Sequence, residues 1–178
     1  MRIIAGKYRS RVIQTVSSHD VRPTAGRVRQ TIFDLLETRV GFDSASVLDL
    51  FAGSGILGFE ALSRGAEHVT FVEKSQSVLK KLGTSIELLG VGSEVTVYRQ
   101  DALRFVQKKQ EQPYDLIFCD PPYKYPHGKE ILEAVFSNEL LAAGGYFIYE
   151  HGAAQEFDGH PRLCFTKDFG TTVVSFFQ

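Results

Sequence analysis

Short β-prone apolar runs alternate with stretches of helical periodicity along most of the chain. The runs are rich in β-branched and aromatic side chains, which is typical of buried strands. The predicted strands are 47–50, 68–72, 95–98, 114–119, 146–149, 163–166 and 172–177. Helical stretches separate the first five, whereas only a short turn separates the last two. This order predicts an α/β, Rossmann-like fold, in which a mostly parallel seven-stranded sheet ends in an antiparallel hairpin.

Apolar residues spaced three and four apart predict the helices. Before the first strand, Arg22-Pro23-Thr24 leads into a helix that we expect Thr24 to cap. Its predicted apolar face is Val28, Ile32, Leu35, Leu36 and Val40. Arg27 lies one residue off that face, and we expect Arg29 to point further outward. The other predicted helices are 56–63, a helix capped by Ser75 that buries Val78, Leu79, Leu82, Ile86 and Leu89, and the segments 102–108 and 129–136.

The first strand ends in a glycine-rich turn, Phe51-Ala52-Gly53-Ser54-Gly55, and a helix follows it. Gly53 and Gly55 lack a Cβ atom, so the backbone can adopt a positive φ and lie against a ligand. The free N–H groups at the start of the helix complete a site that suits a nucleoside-bearing cofactor. The spacing G-x-G-x-x-G is weak evidence by itself, since any strand–helix turn that needs glycine can produce it.

Acidic residues stand at or near the carboxyl ends of the first three strands, where open α/β sheets bind ligands. They are Asp49, Glu73 and Asp101. A carboxylate at Glu73 suits both ribose hydroxyls of a nucleoside, and its pairing with the glycine turn favours this role over a solvated strand end. Asp101 is suited to accept a hydrogen bond from an adenine amine or to cap the helix at Ala102, and one residue can do both.

The fourth strand runs directly into Asp120-Pro121-Pro122-Tyr123. Two prolines fix the backbone and remove two N–H donors, so the carbonyls and the Asp120 carboxylate act only as acceptors. We expect Asp120 and the Pro121 carbonyl to hold the exocyclic amine of a planar base, with Tyr123 stacked on its ring. The amine lone pair then faces an electrophilic methyl group. A rigid turn explains the two prolines alone, but not the acid before them and the aromatic residue after them.

The net charge of −1 is distributed unevenly. Residues 1–30 hold seven Lys or Arg residues against Asp20, a net charge of +6, so the remainder carries −7. A basic arm suits a phosphate backbone, and Tyr8, between Lys7 and Arg9, is available to stack on a base. The candidate RNA-binding residues are Arg2, Lys7, Tyr8, Arg9, Arg11, Arg22, Arg27 and Arg29. A solvated basic tail is the alternative.

The length of 178 residues predicts one domain, with residues 1–21 as a basic arm and hairpin and residues 22–178 as the core. The chain has no apolar run of membrane-spanning length and no signal-peptide pattern. Its two cysteines, Cys119 and Cys164, do not have metal-ligand spacing. We therefore expect a cytoplasmic monomer that binds neither a metal nor a membrane.

Five segments together resemble the RsmD family of bacterial 16S rRNA guanine-N2 methyltransferases. They are residues 2–11, 22–34, 48–66, 72–74 and 169–177, and D-P-P-Y is similar to the catalytic motif of amino-group methyltransferases. The resemblance implies a class I methyltransferase that uses S-adenosylmethionine, releases S-adenosylhomocysteine and methylates the exocyclic N2 amine of one guanine, position 966 of 16S rRNA. The implied partner is this rRNA within the 30S subunit or an assembly intermediate.

The same resemblance implies roles for the candidate residues. Asp49 and Gly53 are implied near the methionine and ribose parts of the cofactor, Glu73 at the ribose hydroxyls, and Asp101 with Ala102 at the adenine. Asp120, Pro121, Pro122 and Tyr123 are implied to hold the target guanine. The other predicted cofactor-binding residues are Phe51, Ser54, Gly55 and Lys74. The chain departs from the family pattern at Ser10, where glycine is expected, and near Val12, where a further basic residue is expected.

Three other functions fit part of these observations. D-P-P-Y also suits methyl transfer to adenine N6 or to protein glutamine, although no segment suggests a target-recognition domain for DNA. A non-catalytic RNA-binding assembly factor would retain the fold, but Asp49, Glu73 and Asp120 are intact. An NAD-dependent dehydrogenase would share the glycine turn, yet the chain leaves no room for a substrate domain.

Overall fold

The computed structural model describes residues 1–15, 23–122, 124–153, 157 and 159–178, with the side chains of 23–25 left out. Its strands are β1 (Ser46–Leu50), β2 (His68–Val72), β3 (Val95–Tyr98), β4 (Tyr114–Cys119), β5 (Leu141–Gly152), β6 (Leu163–Asp168) and β7 (Thr172–Phe177). They form one sheet in the order β3-β2-β1-β4-β5-β7-β6. β1 to β5 are parallel, and β7 is antiparallel to both of its neighbours. The predicted seven-stranded sheet with a terminal hairpin is confirmed.

Helices cover both faces of the sheet. They are α1 (Pro23–Arg39), α2 (Ile56–Ser63), α3 (Gln76–Leu89), α4 (Ala102–Val106) and α5 (Gly128–Ser137), with a 3-10 turn at Gly92–Glu94. One core lies between the sheet and α1, α2 and α3. The other lies between the sheet and the pair α4 and α5. Because the strands alternate their side chains between these two cores, β1 and β4 are buried on both faces.

The direction of the parallel strands gives the sheet two distinct edges. We call the edge at which β1 to β5 begin the amino edge and the edge at which they end the carboxyl edge. The chain crosses from β1 to β2 on one side and reaches β4 on the other, so the order reverses beside β1. Open α/β sheets bind ligands at the carboxyl edge next to such a reversal, and this is where the candidate residues lie.

The N-terminal arm is a tight hairpin that docks on the core. Arg2 and Val12 form an antiparallel bridge, and Ile3 and Ile13 are buried in the core beneath α1 and α2. The Glu60 carboxylate of α2 accepts hydrogen bonds from the backbone N–H groups of Ile4, at 2.7 Å, and Ala5, at 3.0 Å. The arm is therefore part of the fold, and the alternative of a solvated tail is wrong for residues 1–15.

Several predicted boundaries differ from the structure. α1 already begins at Pro23, so Thr24 lies inside the helix and the cap predicted there is wrong. Val40 follows the end of α1 and is 43% exposed, because the chain leaves the helix before Val40 reaches the apolar face. α4 ends at Val106 instead of residue 108. β5 is twelve residues long, since its start pairs with β4 and its end pairs with β7.

No helix in the described part of the chain is both long enough and apolar enough to span a membrane.

Candidate cofactor and base-binding site

The turn between β1 and α2 contains two glycines that are required for different reasons. Gly53 has a φ of 56°, and a Cβ atom added to it would meet nothing closer than the Phe51 carbonyl oxygen at 3.7 Å. Gly55 has a φ of 77°, and a Cβ atom there would lie 2.4 Å from Leu82 Cδ1. Gly53 therefore has open space on the side that a Cβ atom would occupy. Gly55 is needed for close packing against α3, a reason that the predicted cofactor contact did not include.

Glu73 holds the glycine turn from the end of β2. Its Oε2 atom accepts the N–H of Gly53 at 3.1 Å, and its Oε1 atom accepts the N–H of Ser75 at 2.7 Å. A carboxylate has about four acceptor positions, so two remain available for the hydroxyls of a ribose. The geometry thus fits the predicted role and adds a second one, because the same carboxylate fixes the turn.

Asp49 lies beneath the start of α2 and away from the cavity wall. Its Oδ2 atom accepts the N–H of Gly58 at 3.0 Å, and the residue is only 2% exposed. Burial raises the pKa of this carboxyl well above its usual range, and the charges of Asp120 and Glu73 add to the effect. The implied place of Asp49 near the methionine part of the cofactor stays a prediction. Asp49 anchors the helix behind the turn.

A cavity of about 500 Å³ opens at the carboxyl edge between β1, β2 and β4. Its lining combines residues from the glycine turn, the ends of β2 and β3, and the D-P-P motif: Phe51, Val72, Glu73, Lys74, Gln100, Ala102, Asp120, Pro121 and Pro122. The structure thus brings four predicted cofactor residues, Phe51, Glu73, Lys74 and Ala102, to one cavity with Asp120, Pro121 and Pro122. The other predicted cofactor residues, Asp49, Gly53, Ser54, Gly55 and Asp101, do not line it. Val72 and Gln100 were not among the predicted site residues, although their positions at strand ends next to Glu73 and Asp101 are a usable signal.

Asp101 is the N-cap of α4. Its Oδ1 atom accepts the N–H of Arg104 at 3.2 Å, which is the capping alternative considered for this residue. It does not line the cavity, whereas its neighbours Gln100 and Ala102 do. A contact between Asp101 and an adenine amine stays a prediction.

The D-P-P loop presents acceptors to the cavity. The Asp120 side chain is accessible from the cavity but crowded by protein on its other sides, and this desolvation raises its pKa to about 6. The Pro122 carbonyl accepts the N–H of Tyr125 at 2.8 Å, which closes the turn. The Tyr125 ring lies edge-on to Phe51, with ring centroids 4.9 Å apart. Tyr123 lies outside the described residues, so its stacking role stays a prediction.

Glu150 is a further carboxyl group at this end of the sheet that sequence reasoning missed. β4 and β5 pair Cys119 with Tyr149, so the residues that follow, Asp120 and Glu150, are neighbours at the carboxyl edge. Burial raises the pKa of Glu150 to about 8, and the charge of Asp120 adds to the rise. Glu150 directly follows the predicted strand 146–149, as Glu73 follows the strand 68–72, and this position is a usable signal. Its proximity to Asp120 becomes clear only from the strand register.

The predicted RNA-binding residues separate into distinct groups. Arg29 is only 9% exposed, donates to the Arg2 carbonyl at 2.9 Å and lies 4.0 Å from the Glu60 carboxylate, so the expectation that it points outward is wrong. The arm covers that flank of α1 and buries it. Arg27 is exposed, as expected. Arg22 lies outside the described residues.

The remaining candidates lie on the arm at the amino edge. The backbone N–H of Lys7 donates to the Ser63 carbonyl at the end of α2, and its Nζ atom is 3.9 Å from Glu94, which precedes β3. Tyr8 packs partly against the core, and Arg9 is exposed. The guanidinium groups of Arg2 and Arg11 donate to the carbonyls of Ser10 and Leu88, each at 2.9 Å. RNA contact by these residues stays a prediction, but it would take place away from the cavity.

A mostly parallel sheet with an antiparallel end, a glycine turn, a carboxylate at the end of β2 and a D-P-P motif after β4 together define a class I methyltransferase. Comparisons with known proteins agree. The family model described as "Conserved hypothetical protein 95" matches residues 1–178. The chain belongs to this family, whose members include the RsmD methyltransferases.

Individual relatives cover most of the chain. The "Ribosomal RNA small subunit methyltransferase D" of Haemophilus influenzae is 38% identical over 152 residues, which are 84% of this chain and 78% of the relative. The protein of the same name from Escherichia coli is 36% identical over 142 residues, 80% of this chain and 70% of the relative. The solved structure of yhhF from Escherichia coli superimposes with a TM-score of 0.86 at 31% identity, and the match covers 100% of this chain and 97% of that one.

Proposed function

We propose that this protein transfers a methyl group from S-adenosylmethionine to the exocyclic N2 amine of one guanine in 16S rRNA, position 966. The substrate is the rRNA within the 30S subunit or an assembly intermediate in the cytoplasm. The observation that carries the proposal is the single cavity that joins Glu73 and Ala102 to Asp120 and Pro121. Its family relatives, named for methylation of small-subunit rRNA, support an rRNA substrate.

The residues at one end of the cavity fit the cofactor. Glu73 keeps two acceptor positions for ribose hydroxyls, Gly53 leaves open space beside the turn, and Ala102 with Gln100 borders the place for the adenine. When bound, S-adenosylmethionine supplies an electrophilic methyl group on a positively charged sulfur. The nearby carboxylates of Glu73 and Asp120 favour that charge electrostatically.

Asp120 and the Pro121 carbonyl then position the guanine. Both are acceptors, the guanine N2 amine offers two N–H donors, and no described residue donates a hydrogen bond to either acceptor. Holding both N–H groups directs the nitrogen lone pair toward the methyl group. The N–C bond forms as the S–C bond breaks, S-adenosylhomocysteine leaves, and the nitrogen loses one proton. Asp120, with its pKa raised to about 6, is the nearest base for that proton.

The direct test is the identity of the methylated nucleoside. Purified protein is incubated with labelled S-adenosylmethionine and 30S subunits from a strain that lacks this methylation, and the rRNA is digested and analysed by mass spectrometry. We expect N2-methylguanosine at one position. Formation of N6-methyladenosine would support the adenine enzyme instead. Cofactor binding without methylation of the subunit or of free 16S rRNA would support the non-catalytic assembly factor.

A further inference from the structure

Exposed or partly exposed charged residues stand at both ends of the parallel strands. Acidic residues precede the parallel strands at the amino edge: Asp43 before β1, Glu67 before β2, Glu94 before β3, Glu111 before β4 and Glu139 before β5. Basic residues follow the strands at the carboxyl edge: Lys74 after β2, Arg99 after β3 and Lys124 after β4, with Arg104 in the first turn of α4. The cavity therefore opens beside several exposed cations in a molecule whose net charge is −1.

Ion pairing differs between the two edges in the same way. At the amino edge, Lys7 lies 3.9 Å from Glu94, and Lys109 lies 3.2 Å from Glu139. At the carboxyl edge, Lys74, Arg99, Arg104 and Lys124 are exposed, and their side chains form no ion pair or hydrogen bond with any other described residue. Glu130 also lies on this side, but it bonds His127 at 2.6 Å. These cations at the carboxyl edge are therefore available to an external anion.

The direction of α1 brings Arg27 to the same edge. Near its carboxyl end, α1 contacts the end of α2, because Glu37 pairs with Arg64 at 3.2 Å. Earlier in the helix, Arg29 faces Glu60 in the middle of α2. The two helices thus run in the same direction, and α2 starts at the carboxyl edge. The exposed Arg27, before Arg29, lies toward that edge.

We propose that Arg27, Lys74, Arg99, Arg104 and Lys124, the carboxyl rim, hold the phosphates of the RNA strand on either side of the methylated guanine. This inference rests on the proposed function. The cavity floor carries the carboxylates of Glu73 and Asp120, which repel phosphate but accept the donors of a base. The base thus enters the cavity, and its backbone stays outside on the surrounding cations. Such placement suits a single-stranded or flipped-out nucleotide.

The described part of the arm, residues 1–15, lies away from this phosphate-binding rim. Its Lys7 pairs with Glu94, at the start of β3, whereas Arg99 follows the end of the same strand. A strand rises about 3.3 Å per residue, so the two ends of the four-residue β3 are roughly 10–13 Å apart. The arm cations near Lys7 therefore lie on a different surface from the rim that borders the cavity.

The test compares two triple variants that each lose three positive charges. The rim variant is Arg99→Gln/Arg104→Gln/Lys124→Gln. The control variant, Lys108→Gln/Lys109→Gln/Arg162→Gln, removes exposed cations that follow α4 or precede β6. Binding to 30S subunits that lack the methylation is measured across a range of NaCl concentrations, together with calorimetric titration of S-adenosylmethionine.

The rim variant is expected to bind the subunit at least tenfold more weakly. The slope of log K against log[NaCl] should become shallower by about 2, because each contact to a single strand contributes about 0.7. The control variant should stay within twofold of the wild type in affinity, and cofactor affinity should be unchanged in both. Equal salt slopes for the wild type and the rim variant, with methylation intact, would overturn the rim alone. A wild type that binds cofactor but neither binds nor methylates the subunit would overturn the proposed function as well.

Discussion

Asp120 and Glu150 are neighbours at the carboxyl edge because β4 and β5 pair with Cys119 opposite Tyr149. Phe118 and Ile148, two residues earlier in each strand, both belong to the core beneath α1 and α2. By strand alternation, Asp120 and Glu150 are directed to that same face. With pKa values raised to about 6 and about 8, this coupled pair of carboxyl groups shares one proton at neutral pH. The site therefore holds one negative charge on this pair.

This pair makes methyl transfer dependent on pH. Only ionised Asp120 accepts both the hydrogen bond and the proton of the amine, and lowering the pH through its raised pKa protonates it. We expect kcat to change little with pH near pH 7 and to decrease below about pH 6, approaching a tenfold loss for each further pH unit. Glu150→Gln, which keeps the neutral form, should retain this acidic limb. A profile that stays flat from pH 7 to pH 5, in protein that circular dichroism shows to be folded, would contradict the assignment.

Alanine substitutions at the two glycines of the turn are expected to have different effects. In Gly53→Ala, the new methyl group enters open space beside the cavity, so we expect cofactor affinity to fall at least tenfold while stability drops only by the roughly 1–2 kcal/mol of a left-handed alanine. In Gly55→Ala, the same strain is joined by a clash with Leu82 and Phe59, which adds about 1–3 kcal/mol. Urea denaturation and calorimetry separate the two. Equal losses of stability in both variants would show that the glycines share one role.

Glu73 is predicted to bind the ribose of the cofactor. Removing its carboxylate in Glu73→Ala eliminates charge-assisted hydrogen bonds worth roughly 1.5–3 kcal/mol each, so the Kd for S-adenosylmethionine should rise at least tenfold. Glu73→Gln keeps one acceptor oxygen but turns an NH2 group toward the other backbone N–H of the turn, so we expect a looser turn and an intermediate Kd. Calorimetric titration of both variants provides the measurement, and an unchanged Kd in Glu73→Ala would remove Glu73 from the cofactor site.

Glu60 is predicted to hold the arm to the core. This fully buried carboxylate accepts hydrogen bonds from the backbone N–H groups of Ile4 and Ala5. It also accepts one from the Nε–H group of Arg64, at 3.1 Å. Glu60→Gln removes the carboxylate that faces the buried Arg29, which we expect to cost about 3–5 kcal/mol. It should also speed hydrogen exchange at the Ile4 and Ala5 amides. Glu37→Gln removes the exposed partner of Arg64 and should cost less than about 1 kcal/mol. Similar unfolding midpoints for the two variants would refute the role of Glu60.

The fold class and several of the residues that line the cavity could be predicted from the sequence, because both depend on local patterns. Strand periodicity predicted the sheet, and motifs at strand ends predicted Glu73 and Asp120 in one cavity. Glu60 was missed, although it is the one charged residue in the otherwise apolar α2, and a lone acid in such a helix is a signal for a buried, paired carboxylate.

Other features depended on tertiary packing. Arg29 has the spacing of an exposed residue on α1, and only the docking of the arm buries it. Gly53 and Gly55 are equivalent in the motif, and their difference arises from the position of Leu82 on α3. The proximity of Glu150 to Asp120 follows from strand register, which the sequence of β5 does not encode locally.

Turnover by Asp120 variants tests the central claim most directly. Initial rates of methyl transfer to unmethylated 30S subunits are measured for the wild type, Asp120→Ala and Asp120→Asn, with calorimetry of S-adenosylmethionine binding alongside. Since Asp120 is assigned to the amine, we expect kcat to fall by roughly 10²-fold or more in both variants. The Kd for the cofactor should stay within about twofold of the wild type, as expected for loss of a transition-state interaction alone. Near wild-type turnover by Asp120→Ala would contradict the catalytic role and leave the D-P-P segment as a rigid turn.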